Sequence, residues 1–439
     1  MLAMDSLQET SAVIAPTNPY DDLSYKSLPI EWIAPERLAL TSRLHGGPQP
    51  SLKTYRVLEL GCADGANLLP LAYYRRQGTF VGVDGAGSQI DIANSRKAAL
   101  GLANIEFIHS DFLTAGQQLS GYFDYIIAHG VFSWVPPEVR NALFELCAEH
   151  LLPGGLLYLN YNTRPGWNIR GMVREFLLGQ TAGLTNLRIQ AEMAQEVAEK
   201  LVASLAKDEN PYSQLMANEF RFICENHVSY VAHEYLAADN FAYWRSEFMA
   251  LASSYELEYV ADADFNYTTG RVSEELPLCL EQEKITGRNP IDTLDLLSYR
   301  QLHSPILTKG QWNPKPMTYE EFGNLLIASC LTHIPSNKAE NPMLQHPSGY
   351  QVEAKEAVIL NAMKKLQPLW PQGLRVQEVF PDVRHVMADL RLLHRNGLIE
   401  LRCIDSNEFG ISGDLLNRLE CEWGGYTTTV YHTREAAAT

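Results

Sequence analysis

An acid and two glycines at the end of a short apolar run are the residues best placed to do chemistry. Residues 56–72 read RVLELGCADGANLLPLA, with Glu59, Gly61 and Gly65 in an E-x-G-x-x-x-G pattern. Glycine lets the backbone of a tight turn approach a ligand closely. The residues after the turn are predicted to open a helix, whose N-terminus favours negative charge. We therefore expect a ligand at the carboxyl end of this strand.

The spacing of the turn indicates which ligand. A dinucleotide loop shows GxGxxG and a phosphate loop shows GxxxxGK[ST], whereas this turn reads GCADG. S-adenosylmethionine fits better, because it offers an amino-acid tail, a ribose and an adenine instead of a phosphate. Asp84 ends the second predicted strand, where a carboxylate can bind ribose hydroxyls, and Asp111 and Phe112 follow the third strand, near the adenine. The expected cofactor-binding residues are Glu59, Gly61, Cys62, Gly65, Asn67, Asp84, Gln89, Asp111, Phe112 and His129.

Alternating apolar and helical segments predict the elements that hold these residues. Strand-like runs occupy residues 55–60, 79–84, 105–110, 122–128 and 155–161, with helical stretches between them. This order predicts an α/β, Rossmann-like parallel sheet with helices on both faces. Residues 257–265 are consistent with a further strand. Residues 270–345 are predicted to be irregular, apart from a short helix over 294–302.

The length of the chain predicts several domains. A chain of 439 residues exceeds one typical hydrophobic core. We expect an N-terminal arm at 1–50, a cofactor-binding domain at 51–180, a mostly helical middle or regulatory region at 181–345 and a C-terminal domain at 346–439. The C-terminal part is predicted as helix, turn, helix and strand.

The composition limits the partners. The 35 basic and 52 acidic residues give a net charge of −17, which argues against a nucleic-acid partner. The sequence contains no run of about 18 apolar residues, so it does not predict a membrane span. The seven cysteines are odd in number and form no CxxC pair, so we expect neither a disulfide framework nor a zinc site, and a cytoplasmic location. No metal is expected, and a homodimer is left open.

Four segments carry a resemblance to a known family: YRVLELGCADGANLLPLA, TFVGVDGAGSQIDIA, AHGVFSWVP and LNYNTRPGW. They resemble bacterial class I S-adenosylmethionine-dependent methyltransferases with a methyltransferase regulatory domain, a group that includes protein-lysine methyltransferases acting on outer-membrane proteins. The arm NPYDDLSYKSLPIEWIAPERLA and the segment SYVAHEYLAADNFAYWRSEF are similar to the same family. The resemblance covers most of the chain and implies a winged-helix-like C-terminal domain.

Methyl transfer sets requirements for the residues around the acceptor. The nucleophile must lie about 3 Å from the methyl group, away from water. An amine must be uncharged, so the pKa of a lysine must fall from about 10.4. Aromatic walls can hold an alkylammonium by cation–π contact. The expected substrate-binding residues are Tyr20, Tyr25, Phe132, Trp134, Tyr161, Asn162 and Trp167, and the candidates for catalysis are Tyr25, Tyr161 and His129.

Three hypotheses about function follow from these residues. The first is methyl transfer to a protein or peptide, at lysine. The second is a small-molecule O- or N-methyltransferase of a biosynthetic pathway, and the third is a non-catalytic module that binds S-adenosylmethionine. His227 and His233 in HVSYVAHEY do not share a helical face, so this segment does not predict a metal site.

Overall fold

The computed structural model describes residues 18–25, 27–263, 290–334, 342–354, 356–370 and 372–403. Its strands are β1 (Tyr55–Leu60), β2 (Gly78–Asp84), β3 (Ile105–His109), β4 (Phe123–Ala128), β5 (Leu151–Leu159), β6 (Tyr161–Thr163), β7 (Ala242–Tyr243), β8 (Leu257–Asp262), β9 (Leu302–His303), β10 (Pro305–Lys309), β11 (Leu326–Ala328), β12 (Thr332–Ile334), β13 (Met343–Gln345), β14 (Gln351–Glu353), β15 (Leu374–Arg375) and β16 (Glu400–Arg402).

The α-helices of the described residues are α1 (Pro19–Asp22), α2 (Pro35–Leu44), α3 (Leu68–Tyr74), α4 (Gly87–Ala99), α5 (Pro137–His150), α6 (Arg164–Gln180), α7 (Leu187–Leu205), α8 (Pro211–Glu225), α9 (Val228–Tyr235), α10 (Arg245–Ser253), α11 (Pro290–Leu297), α12 (Tyr319–Gly323), α13 (Ala357–Leu366), α14 (Val376–Val379) and α15 (Val383–Arg395). None of the described helices is long and apolar enough to cross a membrane.

A seven-stranded sheet forms the centre of the molecule, in the order β3-β2-β1-β4-β5-β10-β8. The first five strands are parallel, and β10 runs antiparallel to both β5 and β8. This arrangement confirms the predicted α/β, Rossmann-like class. The strand order reverses at β1, so the carboxyl ends of β1, β2 and β4 border one crevice, where ligands bind in such sheets.

Burial on both faces explains why β1 is almost entirely apolar. In the sequence YRVLEL every residue except Arg56 is buried. Neighbouring side chains point to opposite faces of a strand. Val57 accordingly joins the hydrophobic cluster on one face of the sheet, and Leu58 joins the cluster on the other. Glu59 is therefore the one carboxyl group in a strand that is otherwise mostly apolar and buried, an unusual position for a charged residue.

The prediction of irregular structure over residues 270–345 was wrong for the described part, which holds α11, α12 and strands β9 to β13. Residues 270–289 and 335–341 lie outside the described residues. The five residues of β10 fall in the stretch predicted to be irregular, yet β10 pairs with β5 and β8 and completes the sheet. Such a short run becomes a strand through its long-range partners, which local periodicity does not reveal. The expected helix over 294–302 instead spans Pro290–Leu297. The expected strand over 257–265 is confirmed for Leu257–Asp262 as β8, and residues 264–265 lie outside the described residues.

The fifth strand also begins earlier than predicted. The sequence predicts this strand over 155–161, and Pro153, Gly154 and Gly155 are residue types that usually interrupt a strand. They lie inside β5, where the pairing with β4 shifts register between Phe123 and Tyr125. An irregularity of this kind lets a strand continue through residues that usually end one.

Helix α2 connects the sheet to the C-terminal elements. Leu38 packs in the core cluster on one face of the sheet, whereas Leu40 packs in a separate cluster with the C-terminal helices. In that part β15, β11 and β16 form a three-stranded sheet beside α13, α14 and α15. The winged-helix-like assignment stays a prediction, because residues 404–439 lie outside the described residues. The predicted domain boundaries also stay predictions.

Candidate active site

The turn after β1 holds a buried carboxyl group with one unused oxygen. Glu59 is 4% exposed, and its Oε1 accepts a hydrogen bond from Asn67 Nδ2 at 2.9 Å. Its Oε2 is buried without a hydrogen-bond partner among the described residues. Burial, reinforced by the nearby carboxylates of Asp84 and Asp64, raises the pKa of Glu59 to about 8. A buried polar atom without a partner indicates a group that a ligand can satisfy.

The two glycines of the turn occupy positions that no other residue fits. Gly61 has φ +78° and Gly65 has φ +75°. A Cβ on Gly61 would lie 2.4 Å from Val131 Cγ2, and a Cβ on Gly65 would lie 2.7 Å from Phe107 Cζ. The backbone conformation and the close contacts both require glycine. The turn is therefore as tight as the E-x-G-x-x-x-G spacing predicted.

Asp84 is oriented by the backbone on either side of the crevice. Its Oδ2 accepts a hydrogen bond from the backbone N–H of Ala63, and its Oδ1 accepts one from Ala86, each at 2.8 Å. Burial raises the pKa of Asp84 above its ordinary value, and the two amides oppose that shift. Each carboxylate oxygen can accept a further hydrogen bond. The group is thus prepared for a ligand with two neighbouring hydroxyls.

The first helix of the arm lies across this crevice. Asp21 Oδ1 accepts hydrogen bonds from Ser88 N at 3.0 Å and Ser88 Oγ at 2.5 Å, at the start of α4. On its other side, the backbone carbonyl of Leu23 accepts a hydrogen bond from His233 Nε2 of α9 at 2.6 Å. Farther along, the N–H of Ile30 donates to Asn67 Oδ1 at 3.1 Å. The arm is therefore attached to α4, to α9 and to the turn after β1.

The two arm tyrosines meet aromatic side chains of α9. The Tyr20 ring stacks on His233, with centroids 4.3 Å apart and planes at 8°. Tyr25 lies 5.9 Å from the ring of His233 and 6.4 Å from that of Tyr230. Burial raises the pKa of both phenols, so their hydroxyls stay neutral. Asp84 contributes to the raised pKa of Tyr20, because the carboxylate lies close enough to oppose ionisation of the phenol.

His129 directly follows β4, and its imidazole ring is neutral. His129 Nδ1 shares a hydrogen bond with Tyr158 Oη at 2.9 Å, and the two rings stack at 5.9 Å. Burial lowers the pKa of His129 to about 4. A base with a pKa so far below neutral pH is a poor proton acceptor. Among the candidates for catalysis, His129 is therefore better suited to positioning than to accepting a proton.

Comparison with known proteins identifies the domain around the turn. Residues 57–155 match the family model described as "Methyltransferase domain", and residues 227–277 match "Predicted methyltransferase regulatory domain". The chain carries an S-adenosylmethionine-dependent methyltransferase domain. PKMT2 from Rickettsia typhi shares its fold, with a TM-score of 0.74, 22% identity and coverage of 87% of this chain and 78% of PKMT2. For the complex of PKMT2 with AdoHcy the TM-score is 0.73 and the identity 23%, with coverage of 86% of this chain and 77% of PKMT2.

Two relatives known by sequence extend the comparison. Uncharacterized protein RP789 from Rickettsia prowazekii (strain Madrid E) is 36% identical over 282 residues, which cover 64% of this chain and 50% of RP789. This chain therefore spans about half the length of that relative. Trans-aconitate 2-methyltransferase from Deinococcus radiodurans is 32% identical over 102 residues, or 23% of this chain and 36% of that enzyme.

The turn of the methyltransferase domain fits S-adenosylmethionine, the cofactor of this class. Glu59 Oε2, which has no hydrogen-bond partner in the described part of the chain, lies at the crevice end of β1. The glycine turn leaves no room for a Cβ, and the carboxylate of Asp84 retains acceptor positions. Glu59 and the turn would hold the amino-acid tail, and Asp84 would hold the ribose. These assignments remain predictions for the individual residues.

Other predicted cofactor residues of the methyltransferase domain contribute differently. The Cys62 thiol packs into the core, and a Cβ on Gly82 would come within 2.8 Å of its Sγ, so at most its backbone lines the turn. Gln89 is buried on α4. Asp111 is exposed and caps its own turn through Oδ1, which accepts from Thr114 N at 2.9 Å. Phe112 packs partly against the core.

The structure separates the predicted substrate residues into two groups. Phe132 is fully buried and packs on Phe144 and Phe248, and the ring of Tyr161 stacks on Phe248 at 3.9 Å. Both rings therefore lie in a buried hydrophobic cluster, and their predicted contact with an acceptor stays a prediction. The backbone N–H of Asn162 donates to Ser133 Oγ at 2.8 Å, and its Nδ2 is buried without a partner among the described residues.

Two tryptophans border the same region. Trp134 is partly exposed and meets Trp167 edge-on, with ring centroids 5.7 Å apart. Trp167 Nε1 donates to Asn240 Oδ1 at 2.5 Å, which fixes the plane of its ring. Of the predicted aromatic residues, Tyr20, Tyr25 and Trp134 are thus the ones that stay outside the fully buried core.

Sequence reasoning missed two features of the site. Asp21 attaches the arm to α4, and Glu234 places a carboxylate beside the arm tyrosines. The second had a detectable signal, because Tyr230, His233 and Glu234 follow the i, i+3, i+4 spacing of one helical face. Within the described ranges, no group of three or more His, Cys, Asp or Glu residues is arranged to hold a metal ion.

Proposed function

We propose that the protein transfers a methyl group from S-adenosylmethionine to a lysine of a protein or peptide. The observation that carries this proposal is the arm, which brings Tyr20 near Asp84 and packs both Tyr20 and Tyr25 against α9. Tyrosine faces attract an alkylammonium or a partly methylated amine. The sequence resemblance to bacterial protein-lysine methyltransferases supports the same acceptor.

The chain's own residues supply positioning and exclusion of water. Bound S-adenosylmethionine supplies an electrophilic methyl group, which an uncharged amine can attack in line. The arm covers the crevice through its bonds to Ser88, His233 and Asn67, and so keeps water away from the reacting atoms. Orientation of this kind contributes several kcal/mol, about 7–11 kcal/mol in the best cases. The departing thioether is neutral and needs no acid.

A small-molecule acceptor is the second candidate. The match to trans-aconitate 2-methyltransferase favours it, although that match covers 23% of this chain. A non-catalytic module that binds the cofactor remains the third reading. We also propose a cytoplasmic location. The five described cysteines are free thiols, which is consistent with a reducing compartment.

The deciding experiment is transfer of labelled methyl from S-adenosylmethionine into a bacterial lysate, counted separately in protein and small-molecule fractions. We expect label in protein, recovered as methyl-lysine after hydrolysis, and less label with the Asp84→Ala variant at the same S-adenosylmethionine concentration. Label confined to small molecules would replace the proposal with the second candidate. Intact cofactor binding with no label in either fraction would favour the third.

A further inference from the structure

One face of α9 borders the arm and carries a carboxylate. Tyr230, His233 and Glu234 are three and four residues apart, so they share that face. The contacts of Tyr20 with His233 and of Tyr25 with Tyr230 show that this is the face turned to the arm. Glu234 is only partly buried, so a group entering from solvent can reach it.

Glu234 lacks a direct cationic partner within the described part of the chain. Burial raises the pKa of Glu234, and among the described residues Arg170 is the cation that opposes this shift, without a direct ion pair. The Arg170 guanidinium itself bonds Glu219 Oε2 and Gln301 Oε1, each at 3.4 Å, and lies 5.1 Å from the Trp167 ring. Arg170 is therefore committed elsewhere, and Glu234 forms neither an ion pair nor a hydrogen bond with the described residues.

The environment of Glu234 disfavours an unpaired carboxylate. Burial raises the pKa of Glu234 to about 8 despite the opposing effect of Arg170. A partly desolvated carboxylate gains most from a cation that enters with hydrogen-bond donors. Among the described residues, no cation is paired with Glu234, so a cationic ligand would find an open partner there.

The position of Glu234 relates this carboxylate to the cofactor. The carboxylates of Glu234 and Asp84 both raise the pKa of Tyr20, so Tyr20 lies within electrostatic reach of each. Glu234 acts on Tyr25 in the same way. Two tyrosine rings beside a carboxylate match an alkylammonium, which gains from both contacts. An anionic acceptor would be repelled.

We propose that Glu234 binds the ammonium group of the acceptor and thereby selects a cationic amine. This inference rests on the proposed function, because it names the recognition of that same acceptor. Glu234 acts in binding, with its carboxylate facing the protonated amine that approaches along Tyr20 and Tyr25. The amine has to release its proton, to Glu234 or to water, before it attacks the methyl group.

The test measures peptide binding, so that it does not depend on turnover. The probe is the peptide acetyl-Gly-Gly-Lys-Gly-Gly-amide, titrated calorimetrically into the full chain saturated with AdoHcy at 0.15 M salt. The same peptide with norleucine in place of lysine serves as the uncharged control. The protein variants are Glu234→Gln, Glu234→Asp and the exposed Glu225→Gln on α8.

We expect Glu234→Gln to weaken lysine-peptide binding about ten- to a hundred-fold, the usual effect of losing a charge-assisted bond. Glu225→Gln should bind like the wild type, and Glu234→Asp should bind more tightly than Glu234→Gln. An unchanged AdoHcy affinity in each variant shows that the site is folded. The inference is overturned if wild-type protein does not prefer lysine over norleucine, or if the Gln and Asp variants bind equally.

The outcome is separable from that of the proposed function. Suppose that Glu234→Gln loses peptide binding and that no lysate protein is labelled. This result would support the cation-binding role of Glu234 and contradict methyl transfer to a protein. Labelled methyl-lysine with no effect of Glu234→Gln would keep the function and overturn the role of Glu234.

Discussion

At the scale of single residues, backbone amides fix the orientation of the Asp84 carboxylate in the predicted cofactor site. Asp84 accepts from Ala63 and Ala86, so its orientation is set before any ligand arrives. Asp84→Ala should raise the dissociation constant of S-adenosylmethionine about ten- to a hundred-fold, since a charge-assisted bond contributes about 1.5–3 kcal/mol. Calorimetric titration measures this, with the exposed Asp91→Ala on α4 as the control. Equal affinities for the two variants would move the ribose away from Asp84.

Substitution of Gly61 tests whether the turn requires glycine for its lack of a Cβ as well as for its positive φ. Gly61→Ala would add a Cβ at 2.4 Å from Val131 Cγ2, whereas Gly130 has a similar φ of +68° and open space around it. Gly130→Ala should cost roughly 1 kcal/mol of unfolding free energy from backbone strain. Gly61→Ala should cost about 1–3 kcal/mol more because of the contact. Urea unfolding of both variants measures the difference, and equal stabilities would contradict the role of close packing.

The buried imidazole of His129 predicts a pH dependence. Its pKa is about 4 in the folded chain and 6.5 in an unperturbed histidine, so protonation favours unfolding. The stabilisation is complete above pH 6.5 and is lost as the pH falls towards 4. His129→Gln should therefore lose less stability than the wild type between pH 7 and 4.5, and exposed His333→Gln should behave like the wild type. Parallel urea-unfolding profiles for the wild type and His129→Gln would refute this origin.

Attachment of the arm is the decisive feature at the scale of elements. Helix α1 has four residues, too few to fold alone, and it is held by Asp21 on Ser88 and by Leu23 on His233. An element held by so few bonds opens easily when one is removed. The cover over the crevice therefore depends on particular side chains.

Asp21→Ala should loosen this element. We expect faster amide hydrogen exchange in residues 18–25 and lower turnover, because water enters the crevice. The neighbouring Asp22 is exposed and makes no side-chain hydrogen bond with the described residues, so Asp22→Ala is the matched control. Exchange measured by mass spectrometry distinguishes them. Identical exchange in the two variants would mean that Ser88 does not hold the arm.

Helix α2 joins two hydrophobic cores at the scale of the whole molecule. Leu38 belongs to the sheet core and Leu40 to the C-terminal core, and both are essentially unexposed. Polar contacts reinforce the junction: Arg43 Nη2 bonds Glu321 Oε2 at 2.6 Å, and Arg391 Nη2 donates to the carbonyl of Leu44 at 2.7 Å. The two cores are therefore expected to unfold together.

Leucine truncations test that coupling. Leu38→Ala and Leu40→Ala should each lower the stability by about 2–5 kcal/mol, the usual cost of such a cavity. Both should shift one common transition in calorimetry, and Leu28→Ala at an exposed position should shift nothing. A separate transition that moves only in Leu40→Ala would show that the C-terminal part unfolds independently.

The overall charge acts at the same scale. A net charge of −17 attracts basic partners over long range, which suits a lysine-bearing acceptor. Salt should therefore weaken association with such an acceptor, as the screening length shortens. The same charge also keeps the protein in solution, so it supports the proposed acceptor without identifying it.

The sequence alone determined the features that depend on neighbouring residues. Strand-like apolar runs that alternate with helical stretches indicated a parallel sheet, and the E-x-G-x-x-x-G spacing indicated a tight turn with an acid before it. Strand ends carried Glu59 and Asp84, and parallel strands must bring their carboxyl ends to one edge. The cofactor class followed from these local patterns.

Only the tertiary structure decided which side chains face the crevice. Phe132 and Tyr161 turn into the core because Phe248 of α10 packs against them, whereas Tyr20 and Tyr25 meet α9. Strand β10 likewise exists through pairing with β5 and β8. These outcomes depend on contacts between residues far apart in the chain, and a local pattern of residue types does not contain them.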